Sequence, residues 1–207
     1  MNFCSNCGGG LVERMPRGDD RQRHVCPDCG MVHYQNPKIV TGCLPVWQDT
    51  VLLCRRSIEP RKGFWTVPAG FMELHETVEQ GALRETWEEA RARVEIQAPY
   101  SLFNLPHVNQ LYVIFRAVLP EPVFEPGPEN EDVRLFAEQD IPWHELAFGT
   151  VRQTLQFFFE DRAHGRFPLR AGTIVPKERG FRFESQPAFK QLNTRSKVLS
   201  RRLVGSP

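Results

Sequence analysis

The residues of this chain that can do chemistry by type and spacing are an acidic triplet, Glu85, Glu88 and Glu89, and two Cys-x-x-Cys pairs. On an α-helix the 100° step gathers the three carboxylates on one side, centred roughly 100° from a stripe of Val78, Ala82, Thr86 and Ala90. They therefore stand at the border of the buried face. Each like-charged pair costs about 0.2–0.5 kcal/mol on an exposed helix, and more where solvent is partly excluded. A hard divalent cation removes that cost, and oxygen-only ligands suit Mg²⁺ or Mn²⁺. A plain solvated acidic face is the competing account.

The cysteines run Cys4-x2-Cys7, eighteen residues, then Cys26-x2-Cys29. That falls within the spacing of a zinc site built from two knuckles. Four thiolates close a tetrahedral shell, so the Zn²⁺ would be structural and not catalytic. Gly8, Gly9 and Gly30 permit the tight turns this needs. A redox pair is the alternative, but no βαβ pattern surrounds either Cys-x-x-Cys. Cys43 and Cys54 lie in apolar, strand-like runs and read as buried small residues.

The acidic triplet must be carried by a helix. Thr77 followed by Gln80 reads as its capping box, and Val78, Ala82 and Leu83 supply its apolar side. Lys38 to Trp47 and Thr50 to Arg56 read as strands joined by the Gln48-Asp49 turn. Val94 to Ile96 and Tyr100 to Leu105 read as short strands, Leu111 to Leu119 as a central one, and Val133 to Phe136 as another. Asp140-Ile141-Pro142-Trp143 resembles a helix start, and Thr150 to His164 an amphipathic helix ending before Gly165.

Gly70, five residues, Glu76, seven residues, Arg84-Glu85, two residues, Glu88-Glu89 resembles the Nudix box, the signature of the Nudix hydrolases. Two positions depart from it. Arg91 stands where the family has Gly, which suggests that the helix runs on a little before Val94, and Thr86 stands where it prefers an aliphatic residue. The resemblance implies an α/β/α sandwich around a mixed sheet. It implies three segments: a zinc ribbon over residues 1–34, a Nudix domain over 35–165 and a basic tail over 166–207. It also implies hydrolysis of a pyrophosphate bond, with Glu85 and Glu89 as primary Mg²⁺ or Mn²⁺ ligands. Glu88 would hold a further ion or take a proton from water. A backbone carbonyl of Ala69 or Gly70 would join the ligand set, and Arg84 would pair with Glu76 to hold the carboxylates in register. Glu129 is the first choice for a further ligand or general base, and Asp132 the second.

Substrate residues are read more coarsely. Arg55 and Arg56 can reach a phosphate, and Trp65, Phe103 and Tyr112 can stack on adenine or flavin. The ribbon, the Tyr34-Gln35-Asn36-Pro37 hinge and the Pro68-Ala69-Gly70-Phe71 start of the box are similar to a subgroup that acts on ADP-ribose and FAD. Members that cleave NADH, or remove NAD caps from RNA, carry a Ser-Gln-Pro-Trp type motif after the box. This chain has Ser101-Leu102-Phe103-Asn104-Leu105-Pro106 there, so NADH ranks second. The partner is thus a small dinucleotide; the sequence does not reveal the oligomeric state, and the resemblance allows a homodimer, since Nudix ADP-ribose hydrolases are often dimers. A nucleic-acid-binding or ligand-sensing module, using the ribbon and Phe181, Phe183 and Phe189 of the basic tail, is the rival reading. With 41% hydrophobic residues, 25% charged and a formal net charge of +1 over 207 residues, the composition is ordinary for a soluble protein with one core and a small appendage. No apolar run approaches the length of a membrane span and the N-terminus has no charged-then-apolar leader, so the expected location is cytoplasmic.

Overall fold

A computed structural model describes residues 1–178 and 180–185. The first segment is a three-stranded antiparallel sheet of β1 (Val12–Arg14), β2 (Arg23–Val25) and β3 (Val32–His33). Strands this short bury almost nothing between themselves, and their fixed points are the two cysteine knuckles. In each knuckle the same backbone bond closes the turn: Gly8 N–H to the Cys4 carbonyl and Gly30 N–H to the Cys26 carbonyl, both 2.9 Å.

The main body comprises β4 (Lys38–Trp47), β5 (Thr50–Arg56), β6 (Trp65–Thr66), β7 (Ala69–Phe71), α1 (Val78–Ala90), β8 (Glu95–Leu105), β9 (Gln110–Val118), β10 (Asn130–Phe136), α2 (Gly149–His164), β11 (Arg170–Pro176) and β12 (Phe181–Ser185). The strands form one mixed sheet in the order β10-β5-β4-β9-β8-β11-β12, with β6 paired to β5 and β7 to β4. The pairs β4–β9 and β8–β11 are parallel. Side chains alternate along β4, and this sets the layers. Thr41 and Cys43 meet the Val78 and Ala82 carbonyls of α1, while Leu44 packs with Ile114, Val151, Leu155 and Phe158 under α2. The helices thus cover opposite faces, giving the expected α/β/α sandwich. Cys43 and Cys54 are fully buried, and burial lifts both thiols, Cys43 to about 11.

Four expectations need correction. The two short strands expected over Val94–Ile96 and Tyr100–Leu105 are one strand, β8, which starts at Glu95 and whose register slips on either side of Pro99. Asp140–Trp143 does not begin a helix. Two 3₁₀ turns occupy Glu138–Asp140 and Trp143–Glu145, and α2 starts only at Gly149. Helix α1 does not run past Arg91, which closes it in the left-handed conformation at φ 50°. The segment after residue 165 is not a plain tail, since β11 and β12 extend the sheet. Phe183 packs on Phe103 and Phe157 at 5.7 and 5.1 Å and is therefore taken up by the core, not offered to a nucleic acid. Phe189 lies outside the described residues.

The loop before β10 finishes α1. The N–H groups of Glu125 and Gly127 donate to the carbonyls of Ala90 and Glu89 at 2.8 and 2.9 Å, satisfying orphan acceptors of the last turn. A Cβ on Gly127 would come within 1.7 Å of the Glu88 carbonyl oxygen, which is backbone and cannot swing away. Gly127→Ala is therefore expected to cost about 1–3 kcal/mol, read as a lower urea midpoint at unchanged slope. An unshifted midpoint would mean that the loop is free to leave the helix.

Candidate active site

The capping box is formed as the sequence indicates. Gln80 N–H donates to Thr77 Oγ1 at 3.2 Å, and Thr77 N–H to Gln80 Oε1 at 2.8 Å. This start fixes the rotation of α1, and with it the acidic side. Glu85 and Glu89 are buried, whereas Glu88 is exposed. Glu89, 7% exposed, accepts one hydrogen bond, from Ala69 N–H to its Oε2 at 3.3 Å. Burial, then the neighbouring charge of Glu85, pushes its carboxyl up to about 8. Burial likewise raises Glu85, against the pull of Arg84.

Arg84 ties the cluster together. Its guanidinium binds Glu76 through Nε and Nη2 at 3.0 and 2.8 Å, Glu85 at 2.8 Å, Glu88 at 3.1 Å and the Phe71 carbonyl at 3.0 Å. Held by Arg84 and by the Glu73 N–H, Glu76 falls to about 2. One arginine thus links the end of β7, the pre-helix turn and two of the three carboxylates. At Gly70 an added Cβ would lie 2.3 Å from Glu85 Oε2, so glycine there leaves room for a carboxylate against the backbone.

Glu129 is exposed, and its charge is a minor contribution to the rise of both Glu85 and Glu89. Asp132 instead pairs with Arg134 at 2.6 Å. Arg56 donates from Nε to the Pro60 carbonyl at 2.9 Å, and its charge acts on both Glu89 and Tyr112. Arg55 is occupied by the Gly63 carbonyl at 2.9 Å and Glu131 at 3.1 Å.

Two of the aromatic candidates are displaced from any ligand role. Trp65, 4% exposed, packs edge-on to Phe136 within the α2-side core. Phe103, 0% exposed, is enclosed by Leu105, Ile174, Phe157 and Phe183. Tyr112 is half-buried, packed against the Phe103 cluster and lining a small cavity with Ala69. Sequence reasoning missed Asn130, whose Nδ2 donates to the Glu89 carbonyl at 3.2 Å, and the half-buried Phe148, which lies under Arg56 at 5.4 Å. Neither carries a local pattern that would single it out.

The carboxylate chemistry fits a hard cation: oxygen donors, two of them buried, with fewer hydrogen bonds than ionised carboxylates need. Arg84 and Ala69 hold Glu85 and Glu89 where they stand, so an ion would compete with those bonds. The thiols fit Zn²⁺ more directly. Cys4, Cys7, Cys26 and Cys29 meet within 4.8 Å, the only such group among the described residues. The Cys4–Cys29 and Cys7–Cys26 sulfurs are 3.7 and 3.5 Å apart. A tetrahedron with Zn–S bonds of about 2.3 Å has edges of about 3.8 Å. His33 Nε2 lies 3.3 Å from Cys4 Sγ, and the Met31 N–H, then Asn6, hold the Cys29 thiol down to about 6.

Models of the Nudix N-terminal zinc ribbon and of the NUDIX domain match residues 2–35 and 36–166. The chain belongs to the Nudix family. A NUDIX hydrolase from Nitrosomonas europaea is 51% identical, with a TM-score of 0.82 over 84% of this chain and 99% of that one. The NAD-capped RNA hydrolases NudC of Pseudomonas aeruginosa and Stutzerimonas stutzeri are 29% and 31% identical over 82% of this chain. The chain spans only 60% of the length of either. An ADP-ribose pyrophosphatase from Streptococcus suis, 21% identical with a TM-score of 0.52, shares the fold. Among the described residues no helix is long and apolar enough to cross a membrane.

Proposed function

We propose that this chain hydrolyses the pyrophosphate bond of a nucleoside diphosphate joined to a second group, with ADP-ribose and FAD as its first substrates. The observation that carries this reading is the pair of buried carboxylates, Glu85 and Glu89, set against the Ala69–Gly70 backbone and faced by the charge of Glu129. Buried acids with so few partners are costly in a resting protein and are useful where a cation and an anionic substrate meet. Mg²⁺ or Mn²⁺ held by Glu85, Glu88 and Glu89 supplies charge neutralisation on the diphosphate and acidifies a water.

The chain's own groups do the rest. Arg84 fixes the directions of Glu76, Glu85 and Glu88. Arg56, whose charge acts on both Glu89 and Tyr112, can meet a phosphate oxygen that would otherwise be repelled by the carboxylates. Glu129, exposed and near enough for its charge to act on the buried pair, is the group proposed to take a proton from the attacking water. Zn²⁺ on the four cysteines is structural, and the described residues carry no second group of such ligands. A homodimer and a cytoplasmic location complete the proposal.

NADH is the second substrate, and NAD-capped RNA, which carries the same kind of pyrophosphate, is the one that the names of the NudC relatives favour. Incubation with ADP-ribose, FAD, NADH and NAD-capped RNA in Mg²⁺ or Mn²⁺, followed by identification of the released mononucleotides, tests both readings. AMP from ADP-ribose or FAD at the highest kcat/KM is the expected result. A clear preference for NADH moves the assignment to the second reading. No turnover of any of the four, together with a salt-dependent shift on RNA or DNA, overturns the enzyme in favour of a binding module.

A further inference from the structure

Glu89 supplies more than a carboxylate, because the segment that carries Glu129 is fastened to its backbone. The Glu89 carbonyl is one of the last four of α1 and has no partner within the helix. It accepts from the Gly127 N–H at 2.9 Å and from the Asn130 side-chain amide, through Nδ2, at 3.2 Å. The Asn130 N–H in turn donates to the Gly127 carbonyl at 3.0 Å, closing residues 127–130 into a turn. Glu129 lies inside that turn, and its own carbonyl accepts from the Ser57 N–H at 2.9 Å. Its backbone is thus held from both sides while its side chain is exposed.

The start of β10 is shaped for this bond. Residues three apart on a regular strand face opposite ways. Asn130 and Val133 are nevertheless both buried toward α1, Asn130 on the Glu89 carbonyl and Val133 beside Ala90. A slip of register between Asn130 and Asp132, where β10 pairs with β5, reconciles the two.

Capping the helix does not need the side chain. The Gly127 N–H already serves the Glu89 carbonyl, and the next carbonyl, of Ala90, is served by the Glu125 N–H at 2.8 Å. A buried amide must be bonded or it costs free energy, so a strand-start asparagine here calls for an account. What its bond adds is position. It ties Glu129 to the main chain of the residue whose carboxylate stands at the centre of the site. Displacing a reacting group by about 1 Å can cost about 100-fold in rate. We propose that Asn130 is a positioning residue: through the Glu89 carbonyl it sets where Glu129 stands relative to Glu85 and Glu89. This rests on the hydrolase reading and on Glu129 as its base.

Asn130→Ala removes the amide but leaves Gly127 on the Glu89 carbonyl, so α1 keeps a cap. A purely structural role predicts a lower melting temperature and, well below it, unchanged turnover. Positioning predicts kcat lowered about 10- to 100-fold, with KM and Mn²⁺ affinity little changed. Asn130→Asp, equal in shape but without the N–H, should show the same loss of kcat and serves if the alanine variant does not fold. In a Glu129→Gln background Asn130→Ala should cost almost nothing further, because the group it positions is gone. Additive losses, or full turnover in Glu129→Gln alone, overturn the inference. Hydrogen exchange reads the same bond without substrate. The Ser57 amide, which donates to the Glu129 carbonyl, should exchange about tenfold faster in Asn130→Ala while the amides of β4 and β9 hold. Unchanged protection at Ser57 refutes the inference whatever the kinetics. If wild type cleaves no dinucleotide, the hydrolase reading falls by itself, and the Ser57 amide still decides whether Asn130 holds Glu129.

Discussion

Glu89→Gln is expected to lower kcat on the order of 10³-fold, the scale on which losing one electrostatic anchor of a transition state is felt. The same change is expected to make the metal-free protein more stable above neutral pH. The two effects have one cause. Glu89 is buried, with Ala69 N–H as its sole donor and Glu85 and Glu129 as like-charged neighbours, and its carboxyl rises from 4.5 to about 8. The folded form therefore keeps a proton that the unfolded chain has lost. Stability must fall as pH rises from about 4.5 through about 8, by up to about 1.4 kcal/mol per unit. The amide introduced by Glu89→Gln cannot titrate and still accepts from Ala69, so the variant lacks this slope.

Metal-free melts at pH 5 and pH 8 check the sign: near-equal midpoints at pH 5, and the variant higher at pH 8. Adding Mg²⁺ at pH 8 should raise the wild type and leave the variant nearly unmoved, since only an ion that binds the native state stabilises it. Retained turnover in the variant would remove Glu89 from the ligand set. A wild type as stable at pH 8 as at pH 5 would show that its carboxyl is solvated.

The acidic side of α1 was legible because a capping box and a 3.6-residue period are local, and both survive in any tertiary setting. The end of α1 was not. Arg91 pays for a left-handed conformation of the kind that glycine adopts readily, and what holds it is distant: Glu125 and Gly127 donate to the last carbonyls, while Trp87 carries the Arg91 guanidinium at 5.7 Å. The aromatic candidates failed for a related reason. Whether Phe103 faces a ligand or the core depends on its neighbour across the sheet, Gly172, where a Cβ would come within 2.3 Å of the Phe183 ring. That packing is invisible in β8 alone. Strand β11 does alternate, with Gly172 and Ile174 turned inward, but seven residues in a basic segment give too short a run to read as a sustained period. Asn130 had no signal at all, because a carbonyl contact is a property of the folded chain.

Loss of Zn²⁺ is expected to unfold residues 1–34 while the larger sheet keeps its own transition. Strands of three, three and two residues cannot offset the entropy of ordering the segment, whereas structural Zn²⁺ contributes about 10–16 kcal/mol in isolated finger peptides at neutral pH. Cys26 is fully buried, and its N–H and carbonyl close the second knuckle on Met31 and Gly30, both at 2.9 Å. Cys26→Ser takes away one thiolate, and a chelator takes away the ion. Hydrogen exchange reads both. The amides of Cys4, Gly8, Cys26 and Gly30, which donate within the knuckles, should lose protection together, and those of β4 and β9 should keep theirs. Parallel loss in β4 and β9 would mean that the ribbon is part of the main cooperative unit. Full protection of the knuckles after chelation would mean that the thiols hold their arrangement without an ion, against the short sulfur separations that fit one so closely.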